Sequence, residues 1–128
     1  MNRRANPTPP KSARPAKEVD GESVVLAAIA AMPDSDRAIG ERLHAIIRAN
    51  APAFAPKLWY EMPAYAKDGK VICFFRSAEK FKERYMTLGF NADTDLDDGV
   101  LWPITCALTA LTSTEEAKIA ALVKRAAK

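Results

Sequence analysis

The chain has 128 residues, 48% hydrophobic and 27% charged, with a net charge of +3 and two cysteines. These values are typical of one globular domain with its own core. No apolar run reaches the ~20 residues that span a bilayer, and the first thirty residues lack a secretory signal pattern. We therefore predict a cytoplasmic domain with no membrane partner, in which Cys73 and Cys106 are small buried hydrophobes.

The basic character of the chain, with an isoelectric point near 8.9, comes from its N-terminal end. Residues 1–17 contain five basic residues, four prolines and no acidic residue. Because this segment has almost no large apolar residues, we predict a disordered basic tail over residues 1–18 and a single domain over residues 19–128. The scattered charges have no aromatic neighbours, so nucleic acid is not an expected partner.

Three segments have the spacing of amphipathic helices, with apolar residues three or four positions apart on one face. The first segment ends before Pro33 and the second before Pro52. Thr112 and Glu115 have the spacing of a capping box at the start of the third. The predicted buried stripes are Val25, Leu26, Ile29 and Met32, then Ile39, Leu43, Ile46 and Ile47, and finally Ile119, Leu122, Val123 and Ala126.

Strand patterns occupy the region between the second and third helices. The predicted strands are residues 57–62 (KLWYEM), 70–75 (KVICFF), 84–90 (RYMTLGF) and 104–111 (ITCALTAL). The second has five apolar residues in succession and is predicted to be central and buried on both faces, whereas the third alternates and is predicted to be half-buried. Asp68-Gly69 is a hairpin signal. We predict an α+β fold, with an antiparallel sheet of three to four strands packed against two N-terminal helices and one C-terminal helix.

An acidic stretch, NADTDLDDGVLWP, spans residues 91–103. Counted from Asp93, its first acids fit a calcium loop, but the sixth position is Asp98 instead of glycine and the twelfth is an isoleucine. We therefore predict a turn, with Gly99 at a positive φ and Asp97 or Asp98 accepting bonds from the following N–H groups. We expect the Trp102 ring to turn toward the sheet and Pro103 to fix the direction of the next strand.

The sequence contains no familiar catalytic motif. His44 is the only histidine, and its position beside the helical stripe predicts a partly exposed surface residue. With no second histidine and no cysteine cluster, we predict no zinc site, no catalytic residue and no cofactor. The G-x-S-x-G, G-x-G-x-x-G and Walker patterns are absent. An enzyme of unknown class, using Glu61 with an aspartate, is left open as an alternative.

Aromatic residues are concentrated in the strand region. Trp59 and Tyr60 are consecutive in a predicted strand, so we expect their rings to point to opposite faces. A core of this size cannot bury every ring. We therefore predict a non-enzymatic domain that binds a small molecule in a cleft near the sequence WYEMPAY, with walls from Trp59, Tyr65 and Trp102. The predicted ligand-binding residues are Trp59, Tyr60, Met62, Tyr65 and Trp102.

Two motifs resemble the YdhG-like family of bacterial domains of unknown function. The similarity covers residues 19–128. It is carried by MPAY…GK, with Met62, Pro63, Ala64, Tyr65, Gly69 and Lys70, and by LDDG…WP, with Leu96, Asp97, Asp98, Gly99, Trp102 and Pro103. The resemblance implies a compact α+β domain with an antiparallel sheet, in which these motif residues are structural.

Some members of the wider family carry a frataxin-like iron-chaperone label, which implies a second alternative for function. Iron or another divalent ion would be held by carboxylates, since hard cations prefer oxygen ligands. The candidate ligands are Asp93, Asp95, Asp97 and Asp98, whereas the three helices contribute few acids. A homodimer is also left open.

Overall fold

The computed structural model describes residues 14–128, with side chains from Gly21 onward. Three helices and five strands follow one another in the order ααβββββα. The helices are α1 (Arg14–Ala30), α2 (Asp34–Asn50) and α3 (Ser113–Ala126), and the strands are β1 (Ala55–Trp59), β2 (Met62–Lys67), β3 (Lys70–Arg76), β4 (Met86–Phe90) and β5 (Thr105–Leu108). The strands form one sheet in chain order, and each neighbouring pair is antiparallel. The predicted α+β class and helix positions are confirmed, but the sheet has five strands instead of three to four.

The extra strand arises because the segment predicted as one strand, residues 57–62, contains a turn. Trp59 is paired with Met62, so Tyr60 and Glu61 form a two-residue hairpin loop with φ values of 52° and 65°. Two-residue hairpin loops of this kind usually contain asparagine or glycine, and this loop contains neither. Because Tyr60 leaves the strand, its ring meets the Trp59 ring edge-on at 5.1 Å, so the prediction of opposite faces was wrong.

The next hairpin follows the sequence signal. Lys67 is paired with Lys70, and the two residues between them, Asp68 and Gly69, have φ values of 53° and 79°. Both belong to the left-handed region that such a turn requires. The Asp68-Gly69 prediction is therefore confirmed.

The predicted tail lies mostly outside the described part of the chain. Nothing in the structure tests the disorder predicted for residues 1–13, while residues 14–18 belong to α1. Within residues 14–128, no helix combines the length and the apolar character that a membrane crossing needs.

The core lies between one face of the sheet and the three helices. On β3, Val71, Cys73 and Phe75 are buried against the helices, whereas Ile72 and Phe74 on the other face are half-buried, so burial on both faces was an overestimate. The helical stripes are confirmed apart from Leu26, which is exposed. The helix residues of the core are Val25, Ile29, Leu43, Ile46, Ile47, Ile119 and Val123.

The start of α3 has the predicted capping box. The Glu115 carboxylate accepts a hydrogen bond from the Thr112 backbone N–H at 2.8 Å and a second from the Thr112 hydroxyl. These bonds hold the pKa of Glu115 below its usual range. Arg42 on α2 then binds Glu116 through Nε at 3.1 Å and Nη2 at 2.8 Å, which joins α3 to α2.

On the sheet face opposite the helices, an aromatic ring covers part of the neighbouring strand. The Phe74 ring lies over Gly89 on the neighbouring strand, and a Cβ atom at Gly89 would be 2.5 Å from Phe74 Cζ. Trp59 packs against the same ring, with 5.3 Å between centroids. All of β4 is therefore buried, although its alternating sequence predicted a half-buried strand.

We expect Gly89→Ala to destabilise the protein by about 1–3 kcal/mol, because the new methyl group displaces the Phe74 ring from its place beside Trp59. Urea unfolding measures the loss. Phe74→Leu, which removes the clashing ring end, should recover part of the stability in the double variant. A parent-like melt for Gly89→Ala would contradict this account of the outer face.

Candidate functional site

The three rings predicted to wall a cleft lie in three different places. Tyr65 is fully buried on the helix side of β2. Trp59 is on the opposite face of the sheet, because its partner Met62 is three residues from Tyr65 and strand side chains alternate. Trp102 is half-buried and packs against the core from the segment before β5. The structure therefore does not gather these rings around one cavity.

The β1–β2 turn borders a different cavity, which we call the hairpin cleft. It has a volume of about 280 Å³ and lies between the C-terminal end of α1, the β1–β2 turn, and the end of β3 with the loop that follows. Met62, a predicted ligand-binding residue, and Pro63, predicted as a structural motif residue, both line it. The rest of its apolar wall is Ala28, Ala31, Met32, Pro33 and Phe81.

An ion pair links two of the segments that border the hairpin cleft. Lys80 Nζ donates to Glu61 Oε1 at 2.8 Å, and both side chains are exposed to solvent. The bond to Lys80 holds the pKa of Glu61 below its usual range. Since exposed pairs contribute little to stability, this contact can open at small cost.

Arg76 forms the polar wall of the cleft. Its guanidinium lies over the Phe81 ring at 4.9 Å, and its Nη2 donates to Glu83 Oε2 at 3.0 Å. Arg76 Nε and Glu83 Oε1 are buried without another partner. Because Nε and Nη2 share one edge of the guanidinium, these two atoms are the unclosed second arm of the same Arg–Glu fork. Arg76 is thus committed to Glu83, and Lys80 remains the cation that a ligand can recruit.

The backbone on both sides of the cleft is strained. Glu61 in the β1–β2 turn and Lys82 in the loop after β3 have φ values of 65° and 60°. A non-glycine residue in the left-handed region costs about 1–3 kcal/mol of backbone strain energy. Such residues concentrate at binding sites and switch regions. This strain, the apolar wall and the ion pair distinguish the cleft from an ordinary surface depression.

His44 is buried, so the prediction of a partly exposed surface residue was wrong. Its Nδ1 lies 2.7 Å from the Tyr65 hydroxyl and its Nε2 lies 2.9 Å from Glu22 Oε2. Arg48 Nε approaches the other oxygen of Glu22 at 3.4 Å. The carboxylate only accepts, so Nε2 donates to it; in the tautomer with its single proton on Nε2, Nδ1 accepts from the hydroxyl. Helical spacing could not reveal this, because Glu22 and Tyr65 are on other elements.

This buried network has the geometry of a structural joint. Tyr65 is fully buried, so no substrate reaches its hydroxyl. Burial also raises the pKa of Tyr65 above its ordinary value, which keeps the hydroxyl protonated. The network therefore ties α1 and α2 to β2.

We expect Tyr65→Phe to destabilise the protein by about 1–3 kcal/mol, because it leaves a buried imidazole nitrogen without a partner. Tyr60→Phe is the matched control, since Tyr60 is 78% exposed. Thermal melts of both variants make the comparison. Equal melting temperatures for the two variants would show that the hydroxyl contributes nothing.

Burial of the Cys73 thiol makes the protein less stable at high pH. Burial raises the pKa of the Cys73 thiol to about 12, whereas a thiol in the unfolded chain has a pKa of about 8.5. The folded state therefore keeps a proton that the unfolded state releases. Stability is fully present below about pH 8.5 and falls toward pH 12, by at most ~1.4 kcal/mol per pH unit for this group.

Urea unfolding between about pH 8 and about pH 10 measures this slope. Cys73→Ala should flatten the decline even though it lowers stability at neutral pH. An unchanged slope in that variant would mean that another group is responsible.

The acidic stretch forms a turn, but with different acceptors from those predicted. Asn91 Oδ1 accepts the Asp93 N–H at 3.0 Å, and Asp95 Oδ1 accepts the Asp97 N–H at 3.4 Å. Within residues 14–128, the carboxylates of Asp97 and Asp98 accept no such bond. The other motif residues are placed as follows: Gly99 has the predicted positive φ of 66°, Lys70 Nζ lies 3.3 Å from Asp93, and Pro103 is exposed.

The four aspartates of this stretch are all exposed. No three histidine, cysteine, aspartate or glutamate side chains of the described residues are grouped so that they could hold a metal ion. Binding of iron or another divalent ion through the acidic stretch stays a prediction.

Comparison of the chain with protein-family models, with curated proteins and with solved structures found no match.

Proposed function

We propose that this protein is a non-enzymatic, cytoplasmic domain that binds a small molecule in the hairpin cleft. The observation that carries the proposal is the cleft itself, which combines an apolar wall with an ion pair between two bordering segments. Ligand sites are typically concave and mostly apolar, with a few polar groups that fix orientation. At about 280 Å³ the cleft suits a molecule smaller than most drugs.

The chemistry of the wall defines the expected ligand. Met32, Met62, Pro63 and Phe81 favour a compact apolar or aromatic body, since the flexible methionine side chains adapt to the shape of a ligand. At the Glu61–Lys80 pair, an anionic ligand would take Lys80 from Glu61, whereas a cationic ligand would take Glu61 from Lys80. A single ring with one charged group fits both requirements.

Membership of the YdhG-like family is part of the proposal. It rests on the MPAY…GK and LDDG…WP motifs of the sequence, and the first of these runs along β2 into β3. Iron binding remains the alternative function, with the acidic stretch as its site. Trp59 and Trp102 lie outside the proposed cleft, and Tyr60 adjoins it through the strained turn.

The chain contains its own reporters for the test. Met32 and Met62 line the cleft, whereas Met86 is buried in the core. We expect benzoate, benzylamine or benzyl alcohol to shift the ¹³C-methyl NMR signals of Met32 and Met62 and to leave Met86 unchanged. Benzoate is anionic, benzylamine is cationic and benzyl alcohol is neutral. The probe that saturates at the lowest concentration therefore shows which ligand charge the cleft prefers.

Two variants locate the binding. Ala31→Trp fills the cleft and should abolish the shifts, while Ala30→Trp, on the exposed side of α1 that does not line the cleft, should retain them. Shifts that survive Ala31→Trp, or that include Met86 equally, would place binding elsewhere and overturn the proposal. Ferrous iron added to a ¹⁵N-labelled sample tests the alternative, through broadening of the amide signals of the acidic stretch.

A further inference from the structure

The two edges of the sheet differ in how they are protected. At one edge, β1 contains Pro56, which has no N–H group, and the charged Lys57, and it packs against α1. Natural edge strands are usually blunted in these ways, because an open edge recruits other strands. The edge formed by β5 has none of these devices.

The β5 edge lies in a segment without charge. No charged residue or histidine occurs between Asp98 and Glu115. Within residues 14–128, β5 pairs only with β4, and Thr105 and Ala107 are exposed. The loop before the strand adds apolar surface, since Val100 is 100% and Leu101 86% exposed. An exposed apolar segment next to an open strand edge marks an interaction surface.

The register of the β4–β5 pair identifies which backbone groups are free. The Phe90 N–H donates to the Ile104 carbonyl oxygen at 2.7 Å. In an antiparallel ladder the hydrogen-bonded pairs alternate, so Cys106 and Leu108 also direct their backbone groups toward β4. Thr105 and Ala107 therefore direct their N–H and C=O groups outward.

We propose that β5 pairs antiparallel with β5 of a second copy of this chain, across a two-fold axis at Cys106. In this register Thr105 of each protomer bonds to Ala107 of the other, which uses all the outward groups of both strands. A two-fold interface brings the same surface of each protomer together, so a self-complementary segment is required.

The uncharged segment meets that requirement. With the axis at Cys106, Ile104 of one protomer lies opposite Leu108 of its partner, while the turn at Gly99 and the start of α3 at Ser113 lie beyond the paired strands. Residues 99–114 carry no charged side chain, so no like-charged pair is placed in contact. The exposed Val100 and Leu101 then belong to the uncharged segment that adjoins the interface.

The proposed register makes a covalent test available. Directly opposed residues in a non-hydrogen-bonded antiparallel pair have Cα atoms about 4.5 Å apart, within the range of a disulfide. Cys106 of each protomer would occupy such a pair, whereas Cys73 is buried. Treatment with diamide, which takes two protons and two electrons from the two thiols, should give a disulfide-linked dimer. Cys106→Ser should prevent the link and Cys73→Ser should not.

Sedimentation velocity of the full chain measures the association itself. Because a strand-edge interface is small, we expect the dimer fraction to rise between about 10 µM and about 500 µM. Ala107→Lys should abolish the dimer, with Thr105→Lys as a second edge variant, while Ala121→Lys on the exposed face of α3 should leave it intact. Parent-like melting temperatures show that the variants fold.

Three results would overturn the proposal. These are a monomer at every concentration, a dimer that persists in both edge variants, and a dimer that diamide does not link through Cys106. A monomer that accepts an added strand from another protein would identify a different occupant of the same edge.

Discussion

A buried tyrosine hydroxyl is the constraint on which the arrangement of the helices depends. Tyr65 is fully buried in β2, and a hydroxyl without a partner in such a place costs free energy. Its partner is His44 on α2, which in turn requires Glu22 on α1. One polar atom thus fixes both N-terminal helices against the sheet. The hairpin cleft depends on the same joint, because the C-terminal end of α1 forms one of its walls.

Local signals predicted the parts of the fold that local chemistry decides. The helical stripes, the capping box at Thr112 and the Asp68-Gly69 hairpin depend on spacings of a few residues, and the structure has all of them except for Leu26, which is exposed. The Tyr60-Glu61 turn has no such signal. Tertiary contacts accompany it: Glu61 binds Lys80, and the Tyr60 ring packs on Trp59. A strained turn that is accompanied only by contacts with distant residues has no local sequence signal. The predicted number of strands was therefore too low.

The lining of the hairpin cleft could be predicted only in part for the same reason. Met62, a predicted ligand-binding residue, lines the cleft because it follows the turn directly, and Pro63, predicted as structural, lines it beside Met62. Which way the neighbouring rings point depends on sheet pairing, and this sends Tyr65 into the core and Trp59 to the opposite face. His44 was missed because its partners are 21 and 22 residues away. A helical wheel places His44 on the flank of the apolar stripe. Whether a residue on that flank is buried depends on the other elements that pack against it, here α1 and β2.

The hairpin cleft and the open strand edge are separated by the width of the sheet. From β1 to β5 there are four inter-strand spacings of about 4.8 Å, or ~19 Å in all. Between them lies a close-packed core in which β3 directs alternate side chains toward the helices and β4 is buried along its whole length. A one-residue slip of β3 would turn its core side chains to the other face, so its register is strongly specified and the sheet transmits no signal by changing register. The proposed pairing at β5 would therefore leave both clefts of a dimer open, and we expect each proposed site to bind its ligand independently of the other.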